Sequence, residues 1–266
     1  MALRVATWNI NSVRHRLALA RRFARTWQPD VLCLQETKVV NEKFPRAGFE
    51  DLGYTHFAIH GQKGYHGVAI ISRVPLEAVG TKQWCGSADT RHVFATLPGG
   101  IELHNFYIPA GGDVADPTIN PKFKEKLQFY RELESWGRDL SAKPRVLVGD
   151  LNVAPLETDV WSHKQLLRVV SHTPIEVEHY ERAFSAHDWV DAMREVVPPE
   201  DQLYTWWSYR APDWRRANKG RRLDHVWINR ALQPRLSSIE VADRVRGWKN
   251  PSDHAPVLVE LADQES

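Results

Sequence analysis

Short runs of apolar, strand-forming residues recur along the chain, and several of them stop at a carboxylate or a carboxamide. Residues 3–8 run into Asn9-Ile10-Asn11, Val31-Leu32-Cys33-Leu34 runs into Gln35-Glu36-Thr37-Lys38, and Val146-Leu147-Val148 runs into Gly149-Asp150-Leu151-Asn152. Apolar runs this short, bounded by turn signals, predict buried strands. Further strands are predicted over 67–72, 222–228 and 257–261, with a hairpin of 93–97 and 101–108 around Pro98-Gly99-Gly100. Strands that follow one another without a helix between them predict antiparallel pairing there. Helical spacing appears in three places. Val13, Leu17, Ala20, Ala24 and Trp27 form one stripe behind Ser12 as an N-cap. Asn120-Pro121 starts a helix with proline at its first position and Phe123, Leu127, Tyr130, Leu133 and Leu140 on its apolar side. Thr173-Pro174 opens another, to about residue 186.

The chain is organised around 146–152. Gly149 permits a tight backbone where the strand ends, and residues i and i+2 of a strand share a face. Asp150 and Asn152 therefore present an acceptor-only group and a donor/acceptor group to one point. Phosphoester chemistry uses that pairing, and an Asx turn after a core strand explains it equally well. Asn9-Ile10-Asn11 repeats the pattern, which suggests two halves of the fold facing one site. Glu36 at the mouth of an apolar strand is costly unless it is paired or metal-bound. Asp224 sits on a late strand, and Asp253-His254 lies between Pro251 and Pro256, as a rigid turn or a catalytic pair. Oxygen ligands of this kind suit Mg²⁺ or Mn²⁺ and not zinc. No Cys/His ligand spacing, P-loop, G-x-S-x-G elbow or dinucleotide fingerprint competes.

Composition narrows the setting. The 266 residues are 42% hydrophobic and 26% charged and contain no linker, repeat or low-complexity run, which predicts one domain over 1–266. A formal charge of +2 is too mild to imply a polyanionic partner, so the distribution of charge matters more. Tyr204-Thr205-Trp206-Trp207-Ser208-Tyr209 is followed by Arg210, Arg215, Arg216, Lys219, Arg221 and Arg222 against one acid, Asp213. Cations interleaved with rings suit a nucleic-acid groove, and the plainer account is a core strand followed by a solvated loop. The arginines at 14, 16, 21, 22 and 25 read as a solvated helix face. Two cysteines predict no disulfide framework and fit a reducing cytoplasm, with Cys33 a buried thiol. No apolar run suits a secretory leader or approaches the roughly 20 residues of a membrane helix.

Taken together these motifs resemble a known family. Trp8-Asn9-Ile10-Asn11-Ser12-Val13-Arg14, Leu34-Gln35-Glu36-Thr37-Lys38, Gly149-Asp150-Leu151-Asn152, Tyr204-Thr205-Trp206-Trp207, Arg222-Leu223-Asp224 and Ser252-Asp253-His254-Ala255-Pro256 look like the motifs of the exonuclease III family of abasic-site endonucleases. They occur in the family's order and span residues 8–256. The wider endonuclease/exonuclease/phosphatase superfamily shares the Glu, Gly-Asp-x-Asn and Ser-Asp-His parts.

The resemblance implies a four-layer α-β-β-α sandwich of two packed, mixed sheets with outer helices. It implies Mg²⁺-dependent cleavage 5′ to abasic sites in double-stranded DNA, with Mn²⁺ as a substitute, accompanied by 3′→5′ trimming or removal of 3′ blocking groups, by a cytoplasmic monomer. By similarity Glu36 is the surest metal ligand, with Asn9 and Asp253 near it and Asp150, Asn152 and His254 completing the metal set. Asp150, oriented by Asn152, would activate water. His254 would donate to a phosphoryl oxygen, with Asp224 fixing its tautomer, and Tyr107 would bind the phosphate or assist the leaving group. The identity of the base stays open between Asp150, His254 and a Tyr107 phenolate. Trp206 and Trp207 match an aromatic wall against a flipped-out sugar, and Asn11, Arg14, Arg210 and Arg222 are expected to meet DNA. The loop 111–116 departs from the family in having two acids and no base, and Lys122, Lys124 and Lys126 lie nearby to compensate. A lipid-headgroup or inositol-phosphate phosphodiesterase and a catalytically silent DNA-binding protein are the competing readings.

Overall fold

Alternate residues of a strand point to opposite faces of its sheet, and in this protein both faces are covered. The structure, a computed structural model, describes residues 2–211 and 213–263. One sheet begins with β1 (Leu3–Asn9), β2 (Val31–Gln35), β3 (His56–His60) and β4 (Val68–Ser72). The chain then builds the second sheet from β5 (Glu77–Gly80), β6 (His92–Leu97), β7 (Ile101–Tyr107), β8 (Arg145–Asp150) and β9 (Trp189–Asp191). A ribbon of β10 (Trp206–Trp207) and β11 (Gly220–Arg221) follows. β12 (Asp224–Asn229) returns to the second sheet, and β13 (Leu236–Val241) and β14 (Val257–Leu261) complete the first. The strand orders are β13-β14-β1-β2-β4-β3 and β5-β6-β7-β8-β12-β9. Among the described residues only β1–β2 and β7–β8 pair in parallel, so both sheets are mixed.

Parity along the strands explains the layers. Leu3 and Val5 of β1, Val31 and Cys33 of β2, Val146 and Val148 of β8 and Val226 and Ile228 of β12 all join one core cluster between the sheets. The intervening residues face outward. Ala6, Trp8, Leu32 and Leu34 pack with Ala20, Phe23 and Trp27 of the helix Leu17–Trp27. Phe106, Leu147 and Trp227 pack under the helices Pro121–Arg138 and Pro174–Ser185 through Phe129, Tyr130 and Tyr180. The result is helix, sheet, sheet, helix, as the resemblance implied. The two later helices start where their sequences predict. Asn120 accepts from the Lys122 N–H at 3.1 Å, and Thr173 with Glu176 forms a capping box. Both cysteines are free, and Cys33 is buried. No helix among the described residues is long and apolar enough to cross a membrane.

The first helix differs from expectation. It begins at Leu17 with Arg16 at the N-cap, and Ser12 lies in a turn at φ +83°. The Ser12 and Val13 N–H groups donate across to the carbonyls of Glu36 and Thr37, at 2.7 and 3.2 Å. Those bonds hold Ser12 in that left-handed turn, outside the extended backbone an N-cap takes.

Two histidines on the outward faces carry a consequence for pH. His92 is buried beside His104, and His225 is enclosed between the Tyr180 hydroxyl and the Val153 carbonyl. Burial, aided by the positive charge of a protonated His104 and of Arg222 respectively, holds both imidazoles well below the usual range. In the unfolded chain each titrates near about 6.5. Below that pH the unfolded chain binds more protons than the folded one, so stability falls as pH falls toward the folded-state values, by about 1.4 kcal/mol per pH unit per histidine. Denaturant unfolding between neutrality and pH 5 should show this slope. H92F and H225F should each reduce it whatever their absolute stability, and an unchanged slope would place the acid lability elsewhere.

Candidate active site

The inward-facing series that is apolar at the centre of the sandwich turns polar at one rim. Leu3, Val5, Thr7 and Asn9 share a face of β1, and Val146, Val148 and Asp150 share a face of β8. Val226 leads to Asp224 on β12, and Leu103 leads through Asn105 to Tyr107 on β7. The same register that fills the core therefore delivers Asn9, Tyr107, Asp150 and Asp224 to one edge. Gly149 makes this possible: at φ +143°, a Cβ there would lie 1.9 Å from the Phe106 carbonyl oxygen.

The two matching strand ends fold alike. The Asn11 N–H donates to Asn9 Oδ1 at 3.1 Å, and the Asn152 N–H donates to Asp150 Oδ1 at 3.1 Å. Asn11 and Asn152 both take the left-handed conformation, at φ +47° and +56°. The Asx turn expected after the core strand is present at both ends. The Asn152 side-chain amide donates to the Ile108 carbonyl at 3.0 Å, and it is the backbone N–H that reaches Asp150.

Asn9 ties the acids together by donating from Nδ2 to Glu36 Oε1 at 2.9 Å and to Asp150 Oδ2 at 2.8 Å. The Tyr107 hydroxyl donates to the same Glu36 oxygen at 2.9 Å. Glu36 Oε2 faces the Lys38 ammonium at 2.8 Å, and that ammonium also donates to Asn11 Oδ1 at 2.7 Å. On the other side of Asp150, His254 Nε2 stands 3.7 Å from Asp150 Oδ2, while Nδ1 stands 2.8 Å from Asp224 Oδ2. The Thr205 hydroxyl donates to Asp224 Oδ2 at 2.6 Å and accepts from the Leu223 and Asp224 N–H groups at 3.0 Å each.

Charge follows from this packing. Burial alone would lower the His254 imidazolium, but the Asp224 and Asp150 carboxylates outweigh it and push it up to about 10. Burial pushes Asp150 up to about 7 against the pull of His254. Burial would raise Glu36, and Lys38 with Asn9 overcomes it and holds the carboxyl below its ordinary value. Burial and the Glu36 charge push Tyr107 well above the ordinary phenol, in keeping with its hydroxyl donating to Glu36.

Glu36, Tyr107, Asp150 and His254 floor a cleft of about 730 Å³. Trp206 forms one wall, its Nε1 donating to Asp253 Oδ2 at 2.9 Å. Trp207, expected beside it, is buried and turned the other way. Its Nε1 donates to Asn218 Oδ1 at 3.0 Å, and it faces a neighbouring cavity with Trp214, because adjacent strand residues point to opposite sides. Arg222, expected on DNA, is fully buried: Nε and Nη2 grip Asp159 at 2.7 and 2.9 Å, and Nη1 reaches Asp191 at 2.6 Å. Lys126 is buried too, against Glu176, with its ammonium donating to the Asn152 carbonyl at 2.7 Å, so it supports the site from beneath. Lys122 and Lys124 are exposed, as are Arg14 and Arg210, and Arg210 lines the cleft. Asn11 is half-buried at the rim, and Gly112 and Asp113 of the acidic loop line the wall.

Four further residues escape sequence reasoning. Thr205 orients Asp224, Lys38 balances Glu36, Tyr209 links Asn11 to the Pro251 carbonyl, and Arg91 lies 5.2 Å from the centre of the Tyr107 ring. Lys38 and Thr205 stand inside motifs whose other members carried the argument, whereas Arg91 sits in a segment with no motif.

Among the described residues one group of three places its ligand atoms within 4.8 Å of one another, Asp150, Asp224 and His254, and could hold a metal ion. A second set consists of oxygens alone. Glu36 and Asp253 both line the cleft beside Asp150, and Asp253 Oδ1 has only long contacts, at 3.4 and 3.5 Å. Half-buried acids with spare lone pairs, facing a cleft, fit a hard divalent cation.

A sandwich with acids, amides and an imidazole gathered at one sheet edge defines a phosphoester hydrolase. Residues 6–254 match the Endonuclease/Exonuclease/phosphatase family, and the chain belongs to it. Exodeoxyribonuclease III of Haemophilus influenzae is 31% identical, over 97% of this chain and all of that protein. An AP endonuclease from Archaeoglobus fulgidus superposes with a TM-score of 0.90 at 31% identity, over 98% of this chain and all of that one. The 3′ phosphatase NExo from Neisseria, solved with a product DNA hairpin, gives the same score, identity and coverage. The chain is an exonuclease III-type nuclease of DNA repair.

Proposed function

We propose that this nuclease hydrolyses the phosphodiester 5′ to an abasic residue in duplex DNA, leaving a 3′ hydroxyl, and that the same centre trims or unblocks 3′ ends. The observation that carries this reading is the row Asp224, His254, Asp150, which faces Glu36 across Asn9 at the floor of a cleft with Trp206 on one wall. Glu36 and Asp253, with Asp150 and Asn9 adjoining, would hold Mg²⁺, which supplies Lewis-acid stabilisation of the charge developing on the phosphate. Asp150 takes the proton of the attacking water; an acid held near 7 accepts protons effectively at neutral pH. The His254 imidazolium, fixed by Asp224, donates to a phosphoryl oxygen, and the Tyr107 hydroxyl donates toward the phosphate. Trp206 supplies an apolar face for a sugar without its base. All of these groups come from one chain, which supports action as a monomer.

The test is cleavage of a duplex carrying one abasic analogue, in Mg²⁺ and in EDTA, resolved at nucleotide length. A single Mg²⁺-dependent cut on the 5′ side of the analogue is the expected product. A ladder that shortens from the 3′ end without a cut at the lesion would make the protein an exonuclease and place the acidic loop at 111–116 among the causes. Absence of any cleavage would remove this reading in favour of a silent DNA-binding protein.

A further inference from the structure

We propose that Arg221 and Lys219 form a subsite for the phosphate on the 3′ side of the nucleotide whose 5′ bond is cut. The proposal rests on the strand placement proposed above, with the scissile phosphate at His254 and Asp150. Both cations line the catalytic cleft, and each is laid on an indole that lines it as well. The Lys219 ammonium lies 4.5 Å from the centre of the Trp161 ring, and the Arg221 guanidinium carbon lies 5.2 Å from that of Trp206. β11 is a continuation of the same edge: the Gly220 carbonyl accepts from the Trp161 N–H at 3.1 Å, so the two cation-capped rings are held as one unit.

The neighbouring arginine shows what is unusual about Arg221. Arg222 is spent on two carboxylates inside the protein. Arg221, one residue earlier and therefore on the opposite face of the strand, makes no ion pair among the described residues, and the nearby Glu176 carboxylate is itself paired with Lys126. One nitrogen anchors it: Nη1 donates to the Val170 carbonyl at 2.9 Å and to Ser171 Oγ at 2.8 Å. Its Nε is buried and without a partner among the described residues. A cation fixed by neutral acceptors keeps its full charge for a ligand, and a guanidinium favours phosphate.

The position of Trp206 sets the distance. Its edge bonds Asp253 at 2.9 Å while one of its two faces carries Arg221, so one indole separates the acid beside His254 from the guanidinium. A sugar lying against that ring, with its 5′ phosphate at the catalytic row, brings its 3′ phosphate toward Arg221 and Lys219. Arg221 and Lys219 thus favour a nucleotide with phosphate on both sides, which distinguishes an internal lesion from a 3′ terminus.

The experiment measures affinity in EDTA for a duplex with one abasic analogue, and for the same duplex with a neutral methylphosphonate in the linkage 3′ to it. R221M should weaken binding to the all-phosphate duplex by about tenfold and reduce the slope of log K against log salt by about one. The methylphosphonate should cost the unmodified protein at least that factor and cost R221M, which keeps only Lys219 on that phosphate, clearly less. Losses that multiply, or an unchanged salt slope, would overturn the proposal and leave Arg221 as a tie to residues 170–171. Should R221M fail to fold, K219M, at an exposed position, takes its place in the same cycle. Incision in Mg²⁺ is read in parallel. A protein that shows the coupling yet does not cut beside the lesion would refute the function proposed above while leaving the phosphate subsite standing.

Discussion

Replacing Asp150 by Asn should lower the rate of DNA cleavage by about 10²- to 10⁴-fold, the range lost when a general base is removed, while DNA binding survives. The two groups are nearly equal in size, so the cleft keeps its shape. The carboxylate accepts at both oxygens, from the Asn152 N–H on Oδ1 and from Asn9 Nδ2 on Oδ2. A carboxamide can satisfy only one of these with its oxygen, and it cannot take a proton from water at neutral pH. Single-turnover cleavage of the abasic duplex in Mg²⁺ measures the loss, and binding of the same duplex in EDTA measures what is retained. Near-normal cleavage would transfer the proton-accepting role away from Asp150. Equal loss of binding and turnover would make it a structural acid.

This expectation draws on a feature that was legible before the fold was known. The apolar runs of β1, β8 and β12 give the parity of each strand, and parity carries Asn9, Asp150 and Asp224 to the inner face at the rim. Sequence patterning reads that kind of information well because it is local and periodic. The paired Asx turns at Asn11 and Asn152 were legible for the same reason, since both depend on two neighbouring residues.

What was not legible depends on partners far away in the chain. Ser12 looks like an N-cap, yet bonds from its amide and that of Val13 to the carbonyls of Glu36 and Thr37 hold it in a turn at φ +83°. Thr205 looks like one more residue in an aromatic run, yet it holds Asp224 through a hydroxyl that also accepts two backbone N–H groups. Lys126 looks like one of three surface lysines, and only the packing of the helix Pro121–Arg138 against Pro174–Ser185 buries it on Glu176. Trp206 and Trp207 were expected as a pair, and a two-residue strand necessarily sends them to opposite sides.

Arg222→Ala should destabilise the protein by about 3–5 kcal/mol, the cost of breaking a buried ion pair on one side, and leave the salt dependence of DNA binding unchanged. Asp159 is fully buried and takes both Nε and Nη2 of Arg222, and Asp191 takes Nη1. Truncation would strand part of that charge away from water. Arg194, 2.5 Å from Asp159, remains and keeps the loss toward the lower end. Asp191 also caps the short helix Ala192–Val196 through the Met193 and Arg194 N–H groups, so losing its cation loosens that turn as well. A chain of this length converts such a change into a fall of about 10 °C in melting temperature. Arg222→Lys should recover little, because an ammonium cannot reproduce the two-pronged grip on Asp159 together with the reach to Asp191. Arg210, exposed on the cleft wall, is the contrasting case: R210A should lower the salt slope by about one and leave melting unchanged. The reverse pattern, in which R222A melts normally and loses salt dependence, would return Arg222 to the DNA-binding surface and break the argument from burial.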